Sequence, residues 1–155
     1  MAQTPLSDDF KAGWVYSVAP IVKPGSILVG MWKAVLCIFF LPIYLIFIIF
    51  ILVVWKANGL DDLIFGFVGN ILVSLIASIL SAKHFPLSME PNVKNQAGNF
   101  IKVIVVLILV GTVGAGHFLL AKLQYGLLAG FPFLIVLTAI LYNNYKNTSW
   151  SKITY

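Results

Sequence analysis

No arginine occurs among the 155 residues, and only 10% of positions carry a charge, against about a quarter in an ordinary soluble domain. The formal charge of +5 therefore rests on lysine alone, and the ten lysines stand between apolar blocks rather than in a run. A nucleic-acid groove needs a clustered basic patch, so nucleic acid is not an expected partner, whereas scattered lysines suit anionic lipid headgroups. A single cysteine, Cys37, excludes an intrachain disulfide and reads as a packed hydrophobe. Catalytic signatures are equally scarce. There is no phosphate-binding glycine loop, no dinucleotide fingerprint, no nucleophile elbow and no carboxylate pair at catalytic spacing. No catalytic residue, cofactor or metal site is expected, and the chain does not read as an enzyme.

What the sequence has in abundance is apolar length. Hydrophobic residues make up 61% of the chain and aromatics 14%, so most of its surface must face lipid or other membrane subunits. Ala34 to Trp55 is uncharged and interrupted only by Pro42, long enough to cross the hydrocarbon core of about 30 Å as a helix. Further apolar blocks follow, and the expected spans are 34–55, 63–82, 103–121 and 127–142. The fold class is all-α, an integral membrane bundle of four transmembrane helices, with kinks at Pro42 and Pro132, where a backbone donor is missing. The domain plan is an interfacial segment 1–30, the four-helix domain 31–142 with a central loop at 83–102, and a tail at 143–155. Phe10, Trp14 and Val15 to Val18 suit either a short helix at headgroup depth or a plain loop with scattered aromatics. No basic stretch followed by an apolar core stands near Met1, so a cleaved secretory leader is not expected.

Between the first two spans, Lys56 to Asp62 reads as a turn, with Asn58-Gly59 supplying a positive φ and Asp61 or Asp62 capping the next helix. The second span carries Gly66, Asn70, Ser74 and Ser78 at four-residue intervals; the third holds Gly111, Gly114 and Ala115; Gly126 and Gly130 open the fourth. Small and hydroxyl residues on one helix face let a neighbouring helix approach closely, so these nine positions are the helix-packing candidates. The central loop, with Pro86, Pro91 and an asparagine-rich run, is expected to be non-helical.

Four crossings put Lys11, Lys23, Lys33, Lys83, Lys94, Lys102, Lys146 and Lys152 on one side and only Lys56 and Lys122 on the other. The positive-inside rule then makes both termini and the central loop cytoplasmic and the location a plasma or inner cell membrane. His84 and His117 fall on opposite sides and share no metal. No Asp, Glu or Lys lies in the middle of a span, which removes the usual mark of a proton relay.

Two stretches carry a family likeness. Trp14-Val15-Tyr16, Ala19-Pro20-Ile21, Lys23-Pro24-Gly25, Lys33-Ala34 and Phe39-Phe40-Leu41-Pro42 resemble a segment of large bacterial permeases of the type-2 ATP-binding-cassette exporter kind. Ser81 to Ser88, with Phe85-Pro86, is similar to a word that follows a later span there. The likeness covers residues 14 to 90 or so. It implies a permease module or subunit without ATPase motifs, served by a separate nucleotide-binding ATPase. The candidate contacts with that partner are Ala19, Pro20, Lys23, Pro24, Gly25, Phe85 and Pro86. Four spans are fewer than the six of a half-transporter, so the chain reads either as part of a longer permease or as a small subunit. The alternative is an accessory or scaffold subunit of another membrane complex, with other membrane subunits and the lipid bilayer as its partners.

Overall fold

The structure is a computed structural model that describes residues 7–81, 84–90, 96–123 and 125–153. Among the described residues there is no strand, and four helices are long and apolar enough to cross a membrane. They are α1 (Gly25–Trp55), α2 (Leu60–Ser81), α3 (Gln96–Ala121) and α4 (Gly126–Lys146). Single turns precede and follow them: a 3₁₀ turn at Phe10–Trp14 running into one α-turn at Val15–Val18, and a 3₁₀ turn at Trp150–Lys152. The apolar blocks of the sequence are thus the helices, but two helices start earlier than hydropathy indicates.

Helix α1 begins at Gly25 rather than near residue 34, because its first turns carry Leu28, Val29, Met31 and Trp32, all buried against the rest of the chain. Lys33 does not mark a boundary. It lies within the helix, its ammonium 5.6 Å from the centre of the Tyr142 ring, so an aliphatic stem and a ring face accommodate the charge. Residues 96–102, expected to be loop, are the first turns of α3. Helix α4 likewise runs past 142 to Lys146.

Pro42 has a local consequence. Lacking an N–H, and with a ring that crowds the carbonyl four residues back, proline disrupts the α pattern before it. Here the turn over Leu36–Phe40 widens to π geometry, ending just ahead of Pro42, the kind of single-turn bulge that relieves such a conflict. Pro132 sits inside α4. The turn between α1 and α2 departs from expectation: the left-handed residue is Lys56, at φ 56°, whereas no described glycine has a positive φ. A 3₁₀ turn at Lys56–Gly59 follows, and Asp61 and Asp62 lie in the first turn of α2, where the helix dipole favours them.

Helix α2 is the central element, packed against both α3 and α4, while the first half of α1 lies along α4. Phe65 and Leu72 of α2 meet Leu134 of α4 in one buried cluster, with Leu120, Leu127 and Leu137 around it. A second cluster gathers Leu28, Val29, Trp32, Leu75, Phe85, Tyr145 and Ile153. The second half of α1, Leu41–Trp55, contributes no buried residue and is apolar all round, the character of a helix surrounded by lipid or by other membrane helices.

Candidate functional site

Three segments far apart in sequence meet at one end of the bundle and form a cap over it. Phe85 is the pivot. Its side chain is 1% exposed, and its ring centre lies 4.7 Å from that of Tyr16 and 5.7 Å from that of Trp150, the latter edge-on. Such aromatic pairs add to the burial of each ring. Polar bonds tie the same segments together. The Tyr16 hydroxyl donates to the Pro86 carbonyl at 3.3 Å, Trp150 Nε1 donates to the Ile21 carbonyl at 3.3 Å, and Lys23 Nζ donates to Asn147 Oδ1 at 2.8 Å. The Ser7 amide donates to the Met89 carbonyl at 2.9 Å.

Pro24 and Gly25 explain how the cap joins the helices. Pro24 is fully buried and stands just ahead of α1, a place where proline's fixed φ and missing donor cost nothing. Gly25 is buried against the last turn of α4: a Cβ there would stand 2.6 Å from the Tyr145 carbonyl oxygen and closer still to that of Lys146. No side chain fits between the two backbones. Of the seven positions considered for partner contact, Pro24, Gly25 and Phe85 are therefore consumed by the chain's own packing. Ala19 and Pro86 are half-buried, and Pro20 and Lys23 keep exposed side chains. Exposed apolar groups surround them: Trp14 at 64%, Val22 at 88% and Leu87 at 59%. The described lysines Lys11, Lys23, Lys146 and Lys152 lie in or beside the cap segments. Lys83, Pro91 and Lys94 lie outside the described residues.

The helix-packing candidates divide into two groups. On α2, Gly66 lies under the Tyr44 hydroxyl, with 3.7 Å to an added Cβ, and Tyr44 donates to the Leu63 carbonyl. Ser74 accepts from Trp32 Nε1 at 3.1 Å and donates to the Ile71 carbonyl. Ser78 is fully buried and donates to the Ser74 carbonyl at 2.7 Å. Asn70 is exposed and donates to the Gly66 carbonyl at 2.8 Å. At Gly66 and Ser74 that stripe meets Tyr44 and Trp32 of α1. Gly126 and Gly130 also pack closely: a Cβ at Gly126 would collide with the Leu120 carbonyl, and one at Gly130 would lie 2.6 Å from Leu120 Cδ1 and 3.1 Å from Phe65 Cε2. Gly111 and Gly114 are different. An added Cβ at either meets nothing within 4 Å, and Ala115 beside them is exposed. Among the described residues, nothing packs closely against α3 at these positions.

Sequence reasoning missed two features. Gly69, three residues after Gly66, is a tight crossing point, where a Cβ would be 2.9 Å from Val113 Cγ1 of α3; its spacing from Gly66 was the available signal. At the end opposite the cap, His117 Nε2 and Asp62 Oδ1 are 2.9 Å apart, linking the end of α3 to the start of α2. Only the pairing of helices brings these two residues together, so no local motif announces them. No group of three or more metal-ligating side chains occurs among the described residues. Comparison with protein-family models, with curated proteins and with solved structures gives no match for this chain.

Proposed function

We propose that the chain is a membrane-spanning permease module or subunit of an ATP-binding-cassette exporter, working with a separate ATPase, its cap and both termini in the cytoplasm. The observation that carries this reading is the meeting of its two resembling stretches. Tyr16 and the Ala19 to Gly25 segment belong to one, Phe85-Pro86 to the other, and they join in a single ordered cap. A soluble ATPase needs an ordered platform to grip, and the exposed apolar side chains of the cap, Trp14, Val18, Val22 and Leu87, suit an interface. Six described lysines, Lys11, Lys23, Lys33, Lys102, Lys146 and Lys152, on the cap's side of the four spans against Lys56 and Lys122 on the other support the cytoplasmic orientation. The buried positions Pro24, Gly25 and Phe85 would act by holding the platform in shape, and the contacts would fall to Pro20, Val22, Lys23 and Leu87.

Purification of the tagged chain from its membrane in mild detergent, with mass spectrometry of what accompanies it, tests the reading. A nucleotide-binding ATPase is expected in stoichiometric amount and is expected to be lost from the Val22→Asp, Leu87→Asp double variant. Absence of any ATPase, or undiminished recovery with that variant, would count against it. The accessory-subunit reading is favoured by a different observation, the uncovered Gly111, Gly114 and Ala115 face. Recovery of other membrane subunits without an ATPase, abolished by Gly114→Leu, would establish that reading in its place.

A further inference from the structure

At the end opposite the cap, an open cleft of about 760 Å³ lies between the start of α2, the turn at 121–126 and the start of α4. Its volume is within the range of small-ligand sites. The lining joins one carboxylate, Asp61 in the first turn of α2, and Tyr125 just before α4 to apolar Ile64, Phe65, Leu127 and Phe131. A charged group beside apolar walls suits a membrane amphiphile.

Charge narrows the class. Of the two carboxylates at this end, Asp62 is engaged by His117 at 2.9 Å, whereas Asp61 has no ion pair or hydrogen bond among the described residues and lines the cleft. Pro132 adds an acceptor. It cannot donate to the carbonyl of Leu128, four residues earlier and also in the lining, so the usual helix bond to that oxygen is missing. Among the described lining residues the Asp61 carboxylate is the one charged group, and the Tyr125 hydroxyl can donate or accept. One cation is close in sequence: Lys122, between the lining residues Ala121 and Leu123, its ammonium 4.3 Å from the centre of the Phe118 ring.

We propose that this cleft holds a phospholipid bearing a primary ammonium headgroup, the ammonium donating to Asp61 and the Leu128 carbonyl, the phosphate near Lys122, and an acyl chain against Phe65 and Phe131. A primary ammonium offers three donors, which a quaternary ammonium lacks, and an anionic glycerol headgroup could bring its phosphate to Lys122 but would leave the Asp61 carboxylate without a cation. The inference requires the four helices to span a bilayer and is independent of any ATPase.

The test uses the full chain reconstituted in vesicles of equal parts phosphatidylethanolamine, phosphatidylcholine and phosphatidylglycerol, transferred with limited lipid to small nanodiscs, with retained lipid quantified by mass spectrometry. The ratio of retained phosphatidylethanolamine to each of the other two lipids is expected to rise by up to about fivefold, the ratio that one partly exposed ion pair supplies. Asp61→Asn, which keeps the shape of the side chain, should return it towards the bulk ratio, and Leu128→Trp, which fills the cleft, should do the same. Retention at the bulk ratio, or enrichment of either other lipid, would overturn the proposal. So would enrichment that survives both substitutions, since the lipid would then be held elsewhere on the surface.

Discussion

Replacing Phe85 with alanine should open the cap while leaving the four helices standing. The ring is almost fully buried, is paired with Tyr16 and Trp150, and belongs to the cluster that includes Leu28, Leu75 and Ile153. Truncating a buried Phe to Ala costs about 3–5 kcal/mol, the transfer of the ring plus the cavity left behind. Because the Phe85 contacts join three separate segments, that loss should appear as local opening and not as loss of helix. An opening equilibrium shifted by this amount speeds amide hydrogen exchange by roughly 10² to several times 10³-fold, unless exchange first reaches its unprotected limit. The amides to follow are Lys152 and Ile153, which donate within the tail turn at 3.1 Å to the carbonyls of Ser149 and Trp150. Phe85→Leu is the control. It keeps much of the apolar volume and loses the ring pairs, each worth about 0.5–1.5 kcal/mol, so exchange should rise only by about a factor of two to ten per lost pair. Exchange in Phe85→Ala indistinguishable from wild type, in protein whose far-ultraviolet circular dichroism is unchanged, would refute the claim that Phe85 holds the cap.

Other substitutions probe the remaining contacts. Trp32→Phe removes the indole donor to Ser74 and should lower stability by about 1 kcal/mol, seen as a lower thermal midpoint in detergent; the same loss in a Ser74→Ala background would argue that the bond contributes nothing. Gly126→Ala should be more damaging than Gly130→Ala, since the former meets the fixed Leu120 carbonyl and the latter the movable tip of the Leu120 side chain beside Phe65. The reverse order of thermal midpoints would contradict the packing described. Gly111→Leu and Gly114→Leu should leave the thermal midpoint of the isolated chain unchanged, because nothing within 4 Å opposes the first added atom; a fall of several degrees would show that this face is covered within the chain itself.

The four helices were legible because uncharged apolar runs of this length have few alternatives to a membrane helix. Their ends were less so. Hydropathy marks what suits hydrocarbon, and the early turns of α1 bury Leu28 and Trp32 in the chain's own cap, with Lys33 placed along a tyrosine ring. Of the small-residue positions on α2, Ser74 meets Trp32 of α1 and Ser78 is buried, whereas Asn70 is exposed. Gly111 and Gly114 on α3 meet no close neighbour among the described residues, because spacing shows that a helix can be approached closely and not whether this chain supplies the helix. The cap and the Asp62–His117 pair depend on which ends of which helices lie together, information that no local window holds. The left-handed Lys56 was hidden by a better candidate next to it, Asn58-Gly59.

The widened turn at Leu36–Phe40 also separates α1 into two parts that differ in phase. One extra residue in a turn rotates everything beyond it by roughly 100° about the helix axis, relative to an uninterrupted α-helix. The face of α1 that meets α4 and the cap, through Leu28 and Trp32, is thus offset from the face that offers Tyr44 to Leu63 and Gly66. The rows of side chains on the two halves follow separate registers, so the outward surface of Leu41–Trp55 can be aligned to its surroundings without disturbing how Gly25–Val35 sits in the bundle.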